Sequence, residues 1–421
     1  MARINNERRY ILNFDTFSFH PSIAANIAAA GYEVPTPIQE MAIPKVKEGH
    51  DIMGLAQTGT GKTAAFALPI LNRLIKGKQG GVRALVIAPT RELAEQIHQS
   101  FETLGKKTSI KSVTVYGGVG ITPQIQKLRS ADIVVACPGR LIDHIERNTV
   151  NLSKVEVLVI DEADQMFDMG FLPNIRRILK NLPVKRQTLL FSATMPPEIK
   201  QLANDILKNP STVQAGVTAP AETVSHAIYP VAQHLKTDLL LELLETSDAR
   251  SVLVFTRTKH RAKSLEKRLV AAGYSSASLQ GNLSQARRQA ALDGFKSGEF
   301  QILVATDIAA RGIDVSRISH VINYDIPATP EAYIHRIGRT GRAECSGEAF
   351  TLATKEDKNM VKAINRLIGS EVEQRTIPTF NYGSPAPDQK RPSIARVAPQ
   401  RRFPEVRNSY NKRRPAAKIF S

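Results

Sequence analysis

Cysteine is scarce in this chain of 421 residues, occurring at Cys137 and Cys345 alone. Two thiols so far apart provide neither a disulfide framework nor a cysteine metal site, and a reducing, cytoplasmic setting is expected. No apolar run approaches the ~18–20 residues of a membrane span, so no membrane partner is expected. The opening stretch, Met1 to Tyr10, has no apolar segment behind its charges, and a secretory leader is not expected. Acidic residues are the minority, 39 against 57 Lys and Arg, for a formal net charge of +18. So basic a chain commonly meets a polyanion, although the same excess also serves solubility.

What is present is an ordinary globular composition, with material for two or three domains of roughly 100–200 residues. Short, β-branched apolar runs recur. In the first half they are 52–56, 84–88, 112–116, 133–136, 157–160 and 188–191. In the second half they are 252–255, 276–279, 302–305, 320–323 and 349–352. Most are continuous rather than alternating, as parallel strands buried on both faces require. Helical stretches such as 92–104, 172–180, 259–272 and 285–296 lie between them. The expected class is α/β, with two doubly wound parallel sheets in series.

Residues 209–220 carry two prolines and Gly216 among small side chains and are expected to be a linker. From Thr376 to Ser421 there are ten Lys and Arg, two acids and seven prolines, which predicts a disordered basic tail. The expected division is 1–40, an N-terminal segment; 41–208, the first domain; 209–220, the linker; 221–375, the second domain; and 376–421, the tail.

Two motifs carry the chemistry. Ala56-Gln57-Thr58-Gly59-Thr60-Gly61-Lys62-Thr63 follows the first strand. Its glycines can turn backbone N–H groups toward phosphate, Lys62 can reach the outer phosphates and Thr63 can ligate a metal. Ala56 stands where such a loop usually begins with glycine. Asp161-Glu162-Ala163-Asp164 follows another strand and can hold a nucleotide-bound magnesium. Together they predict hydrolysis of a nucleoside triphosphate. Further unusual turns fall at strand ends: Pro89-Thr90-Arg91, Cys137-Pro138-Gly139-Arg140, Ser192-Ala193-Thr194, Arg257, Gly281 and Thr306-Asp307. In open α/β sheets this edge binds ligands, so two faces meeting across a cleft are expected.

In this order, and together with His335-Arg336-Ile337-Gly338-Arg339-Thr340-Gly341-Arg342, the motifs resemble the DEAD-box family of ATP-dependent RNA helicases. The resemblance runs from about Phe14 to Gly369. It implies tandem RecA-like domains, ATP and Mg2+ as cofactors, and RNA as partner. By the same likeness Gln39 reads adenine, with Phe14 covering the base. Asp161 holds magnesium through water, and Glu162 orients or deprotonates the attacking water. Arg339 and Arg342, three apart and so on one face of a helix, neutralise charge at the γ-phosphate. Asp314, with Gly312 beside it, meets the ribose. Asp164, Ser192, Thr194 and His335 link nucleotide state to RNA.

RNA contacts implied by the likeness are Pro89, Thr90, Arg91, Gly117, Gly118, Gly139 and Arg140 in the first domain. In the second they are Arg257, Gly281 and Thr306. Cys137 replaces a threonine common before Pro-Gly-Arg, which removes a hydroxyl. Aromatics are few among these motifs, so base stacking and sequence reading are expected to be minor. A bacterial member near the RhlE-like subgroup would act on ribosomal precursors or in RNA decay. Two other classes share these motifs, an ATP-gated RNA clamp and a translocating DNA helicase.

Overall fold

Alternate residues of the short apolar runs pack into opposite cores, and that single property organises the molecule. In the strand 84–87, Ala84 and Val86 join one cluster while Leu85 and Ile87 join the other. Successive side chains leave opposite faces of a strand, so helices must cover both faces. The computed structural model describes residues 13–56, 59–77, 80–215, 224–310, 318–341 and 347–383.

The first sheet contains β1 (Ile52–Ala56), β2 (Ala84–Ile87), β3 (Ser112–Val115), β4 (Ile133–Ala136), β5 (Val157–Ile160), β6 (Gln187–Ser192) and β7 (Ser211–Ala215). The second contains β8 (Val224–Pro230), β9 (Val252–Thr256), β10 (Ser276–Leu279), β11 (Ile302–Thr306), β12 (His320–Asn323), β13 (Gly347–Ala353) and β14 (Glu373–Gln374). Their orders are β3-β4-β2-β5-β6-β1-β7 and β10-β11-β9-β12-β13-β8-β14. The second repeats the first strand for strand. Every described pairing is parallel. The α/β class expected from the sequence is the one observed.

Three of the expected boundaries move. The segment before residue 41 is not separate, because helix Pro37–Glu48 runs through that point and Phe14, Ile23 and Ile27 enter the first core. The start of the expected linker is strand β7, paired along β1. Asp51 explains this: its carboxylate accepts from Thr188 N and from Lys208 N, both at 2.7 Å, and draws the chain back to the sheet edge. Finally, Ile377, Phe380 and Tyr382 pack on the second core, so 376–383 belong to that domain. Residues 216–220 of the linker, and 384–421 of the tail, lie outside the described residues. Strands β8 and β14 were not expected; β8 mixes Ser, His and Tyr with aliphatics, and β14 is an exposed pair of polar residues.

Candidate active site and nucleic-acid interface

Strand β1 delivers the chain into Gly59-Thr60-Gly61, from which helix Lys62–Ile75 departs. Gly61 has φ +90°, and a Cβ there would lie 2.5 Å from Gln39 Nε2. Glycine is required for both reasons. Gln39, nearly fully buried, donates from Nε2 to the Gly61 carbonyl at 3.1 Å and accepts from Thr36 N at 3.0 Å. Its amide therefore ties the segment before β1 to the loop. Lys62 is buried, donates to the Ala56 carbonyl at 2.9 Å, and lies 3.9 Å from Asp161 Oδ1. Thr63 is half-buried in the first helical turn. Phe14 is mostly spent on the core, edge-on to Phe17 and Tyr32, and Tyr32 is the more exposed ring. Gln57 and Thr58 lie outside the described residues.

Beyond β5, Asp161, Glu162 and Asp164 are all buried. Glu162 adopts φ +54°, an uncommon left-handed conformation for a side chain with a Cβ. Its N–H donates to Asp161 Oδ1 at 3.0 Å, and its Oε2 is buried with no partner among the described residues. Burial pushes both carboxyls up. Glu162 reaches about 7, with Lys62 opposing and Asp161 adding to the rise. Asp164 has a different task. It accepts from Thr194 N at 2.8 Å and Thr194 Oγ1 at 2.9 Å, while its own N–H donates to Ser192 Oγ at 3.2 Å.

The second domain closes on these groups. His335 Nε2 lies 3.8 Å from Asp164 Oδ2, and Arg339 is near enough to lower the Glu162 pKa. Helix Pro330–Ile337 ends at Gly338, so Arg339 sits beyond it. Arg339 therefore does not stand on a helical face, contrary to the expectation. Arg342, Gly312 and Asp314 lie outside the described residues.

Arg336 was not singled out in the sequence. It is buried, forks onto Asp307 at 2.6 and 2.7 Å, and also donates to Asn323 Oδ1 and the Asp325 carbonyl. Its guanidinium lies 4.9 Å from the centre of the Phe255 ring. Only its place among three arginines in one motif could have signalled it.

The expected RNA contacts divide by what already engages them. Pro89 and Thr90 are buried, and Thr90 caps helix Arg91–Gly105 by accepting from Leu93 N at 3.3 Å. Arg91 lies beneath Gly117 and Gly118, and a Cβ at Gly118 would fall 2.2 Å from its Nη1. Arg140 donates to the Val119 carbonyl at 3.0 Å, while Gly139 is exposed. In the second domain Arg257 and Gly281 are exposed and Thr306 is half-buried. Cys137 precedes helix Pro138–Glu146 without a side-chain cap, and burial pushes its thiol up to about 12. The sequence reading missed two bonds across the domains here. Arg91 donates to Gln285 Oε1 at 3.2 Å, and Arg288 pairs with Glu92 at 2.8 Å.

Comparison with known proteins decides the family. Residues 36–202 match DEAD/DEAH box helicase and 235–344 match the Helicase conserved C-terminal domain. The chain is 42% identical over 382 residues to the DEAD-box ATP-dependent RNA helicase RhpA of Helicobacter pylori, covering 90% of this chain and 77% of that one. It is 44% identical over 358 residues to the ATP-dependent RNA helicase CshA of Limosilactobacillus reuteri, covering 85% and 72%. Among solved structures, S. cerevisiae Dbp5 bound to RNA and ADP BeF3 is similar at TM-score 0.79 and 32% identity, covering 86% and 95%.

The chain belongs to the DEAD-box ATP-dependent RNA helicases.

As a DEAD-box helicase it is an enzyme that hydrolyses ATP, built on tandem RecA-like domains. In this DEAD-box helicase the Gly59–Gly61 turn, Lys62 and the buried carboxylates come from the first domain, while His335 and Arg339 come from the second. No helix among the described residues is long and apolar enough to cross a membrane.

Proposed function

We propose that this DEAD-box helicase hydrolyses ATP when its two domains close together on RNA, and that closure separates a few base pairs locally. The observation that carries the reading is the split site. Lys62, Asp161 and Glu162 lie on one side of the cleft and His335 and Arg339 on the other. Whatever holds the domains together completes the hydrolytic set.

In this reading Lys62 and the N–H groups of Gly59–Gly61 hold the phosphates, and Gln39 with Phe14 meets the adenine. Glu162 takes a proton from the attacking water and Arg339, with Arg342, faces the developing charge. Asp314 and Gly312 meet the ribose. Asp164, Ser192, Thr194 and His335 relay nucleotide state toward the RNA face, where Pro89 to Arg91, Gly117, Gly118, Gly139, Arg140, Arg257, Gly281 and Thr306 grip the sugar-phosphate backbone.

Magnesium fits the donor set. Asp161 and Glu162 are buried acids whose pKa values are raised by burial, with one Glu162 oxygen unpartnered, and Thr63 offers a hydroxyl. Among the described residues no three His, Cys, Asp or Glu side chains form a metal cage, so the nucleotide would bring most of the remaining ligands. When bound, the ion supplies charge neutralisation at the phosphates. The biological setting we favour is cytoplasmic, on ribosomal precursors or in RNA decay.

The deciding experiment is ATP turnover with no nucleic acid, with single-stranded RNA and with matched DNA, in the parent and in Glu162→Gln. Stimulation by RNA alone, lost in the variant, is expected. Turnover indifferent to RNA would overturn the reading.

A further inference from the structure

We infer that Asp325 is a positioning residue for RNA binding, its carboxylate fixing the turn that presents Arg257 to the sugar-phosphate backbone. The inference rests on the RNA reading of Arg257 above and deepens it by naming what holds that residue in place.

Strand β9 ends at Thr256, and Arg257 follows it on an exposed turn. The parallel register of β12 with β9 runs only as far as Asn323, opposite Phe255. Beyond that point a side chain takes over from the backbone ladder. Asp325 is 3% exposed, and its Oδ2 accepts from Arg257 N at 2.9 Å. Its own N–H donates to the Phe255 carbonyl at 3.2 Å. The Arg257 N–H thus has a partner just where the strands stop pairing.

The other carboxylate oxygen holds the far end of the same turn. Asp325 Oδ1 accepts from Arg261 Nη1 at 2.6 Å, and Arg261 lies in helix Lys259–Ala271, which Thr258 caps by accepting from Arg261 N at 3.2 Å. One buried carboxylate therefore pins the chain at both Arg257 and Arg261. A phosphate meeting Arg257 then has only the side chain left to order, and binding loses less conformational entropy.

Asp325 also has a structural task, which can be separated from this one. The fully buried Lys236 lies 3.9 Å from Asp325 Oδ1 and donates to the Tyr324 carbonyl at 2.9 Å. Burial lowers the Lys236 pKa, and Asp325 is the first charge opposing the drop. Counter-charge for Lys236 asks nothing of Arg257 N, and removing both charges together spares the fold an unpaired buried ion. The Asp325 carbonyl, which accepts from Arg336 Nη1 at 2.6 Å, survives any change of side chain.

The test measures ATP turnover of the full-length protein against the concentration of a single-stranded oligouridylate, with a melting curve for each variant. Asp325→Ala combined with Lys236→Met should raise KM for RNA about tenfold, the loss expected for one hydrogen bond to a charged acceptor. Most of the change should fall on KM rather than kcat. Lys236→Met alone keeps the bond to Arg257 and should move KM for RNA far less, although it melts below the parent. Adding Arg257→Ala to the combined variant should cost less than Arg257→Ala costs the parent, because both act through one contact. Equal KM values in Lys236→Met and the combined variant, or losses that multiply with Arg257→Ala, would overturn the inference. An unchanged KM for RNA in Arg257→Ala alone would instead sink the RNA reading of Arg257.

Discussion

Glu92 of the first domain and Arg288 of the second form an ion pair in which Arg288 Nε and Nη2 both reach Glu92 Oε1, at 2.9 and 2.8 Å. Both side chains are largely buried, at 5% and 12% exposure. Closely beside them Arg91 donates to Gln285. Nearly two hundred residues separate the partners in sequence, and the pair joins the first domain to the second. Because one partner comes from each domain, its energy is expected to bear on closure more than on the folding of either domain.

Reversing that pair should therefore act on closure. Arg288→Glu is expected to lower RNA-stimulated turnover about tenfold at subsaturating RNA, since coupled neighbours are worth about 0.5–3 kcal/mol. Combining it with Glu92→Arg should recover part of the loss. Thermal unfolding should move little in either protein. Equal losses in the single and double variants would mean the pair is incidental.

Glu162 is expected to set the acid side of the pH profile. Its carboxyl is held at about 7, chiefly by burial, so ATP turnover at low substrate should fall as pH drops below that value. Glu162→Gln should lose about 10²–10⁴-fold in kcat while binding ATP and RNA. The stability consequence has the opposite sign. A carboxyl whose folded pKa exceeds its unfolded value near 4.5 is disfavoured as the anion in the fold, so stability is lost as pH rises from there through about 7. Without nucleotide, the variant should melt a few degrees above the parent at pH 8 and alongside it at pH 4.5.

Arginines three apart should separate cleanly. Arg339→Ala is expected to keep the fold and lose about 10³-fold in turnover, the loss typical of an arginine facing the transferred phosphoryl group. Arg336→Met should unfold at a markedly lower temperature, because Asp307 and Asn323 lose a buried partner worth about 3–5 kcal/mol. Melting curves beside turnover assays check both, and a stable Arg336→Met protein would contradict the structural role.

Gly61→Ala tests the tie between loop and Gln39. The added methyl would enter the space of Gln39 Nε2 at a positive φ. KM for ATP should rise at least about tenfold, a loss of roughly 1.4 kcal/mol, and a normal KM would show that the loop does not need this approach.

Deleting 384–421 removes every one of the ten Lys and Arg counted in the tail. RNA affinity should weaken and its dependence on salt should flatten, with maximal turnover nearly unchanged. Titrations at two salt concentrations decide it, and a large loss of turnover at saturating RNA would show that this segment does more than add affinity for RNA.

The sequence alone determined the α/β class, most strands of both sheets and the places of the motifs to which phosphate chemistry is assigned. Continuous β-branched runs such as Val157–Ile160 can be satisfied only by burial on two faces, and phosphate chemistry needs glycine, lysine and carboxylates in fixed local spacing. These are local constraints, and local constraints survive in one dimension. The tertiary structure decided the rest. Strand β7 looked like a linker because its partner β1 is over 150 residues away and Asp51 supplies the tether. The polar tie from Gln39 to Gly61, the fork from Arg336 to Asp307, and the meeting of Glu92 with Arg288 each depend on burial and on distance through space. No periodicity records these, because a side chain's partner across a cleft is set by how the domains close rather than by its neighbours along the chain.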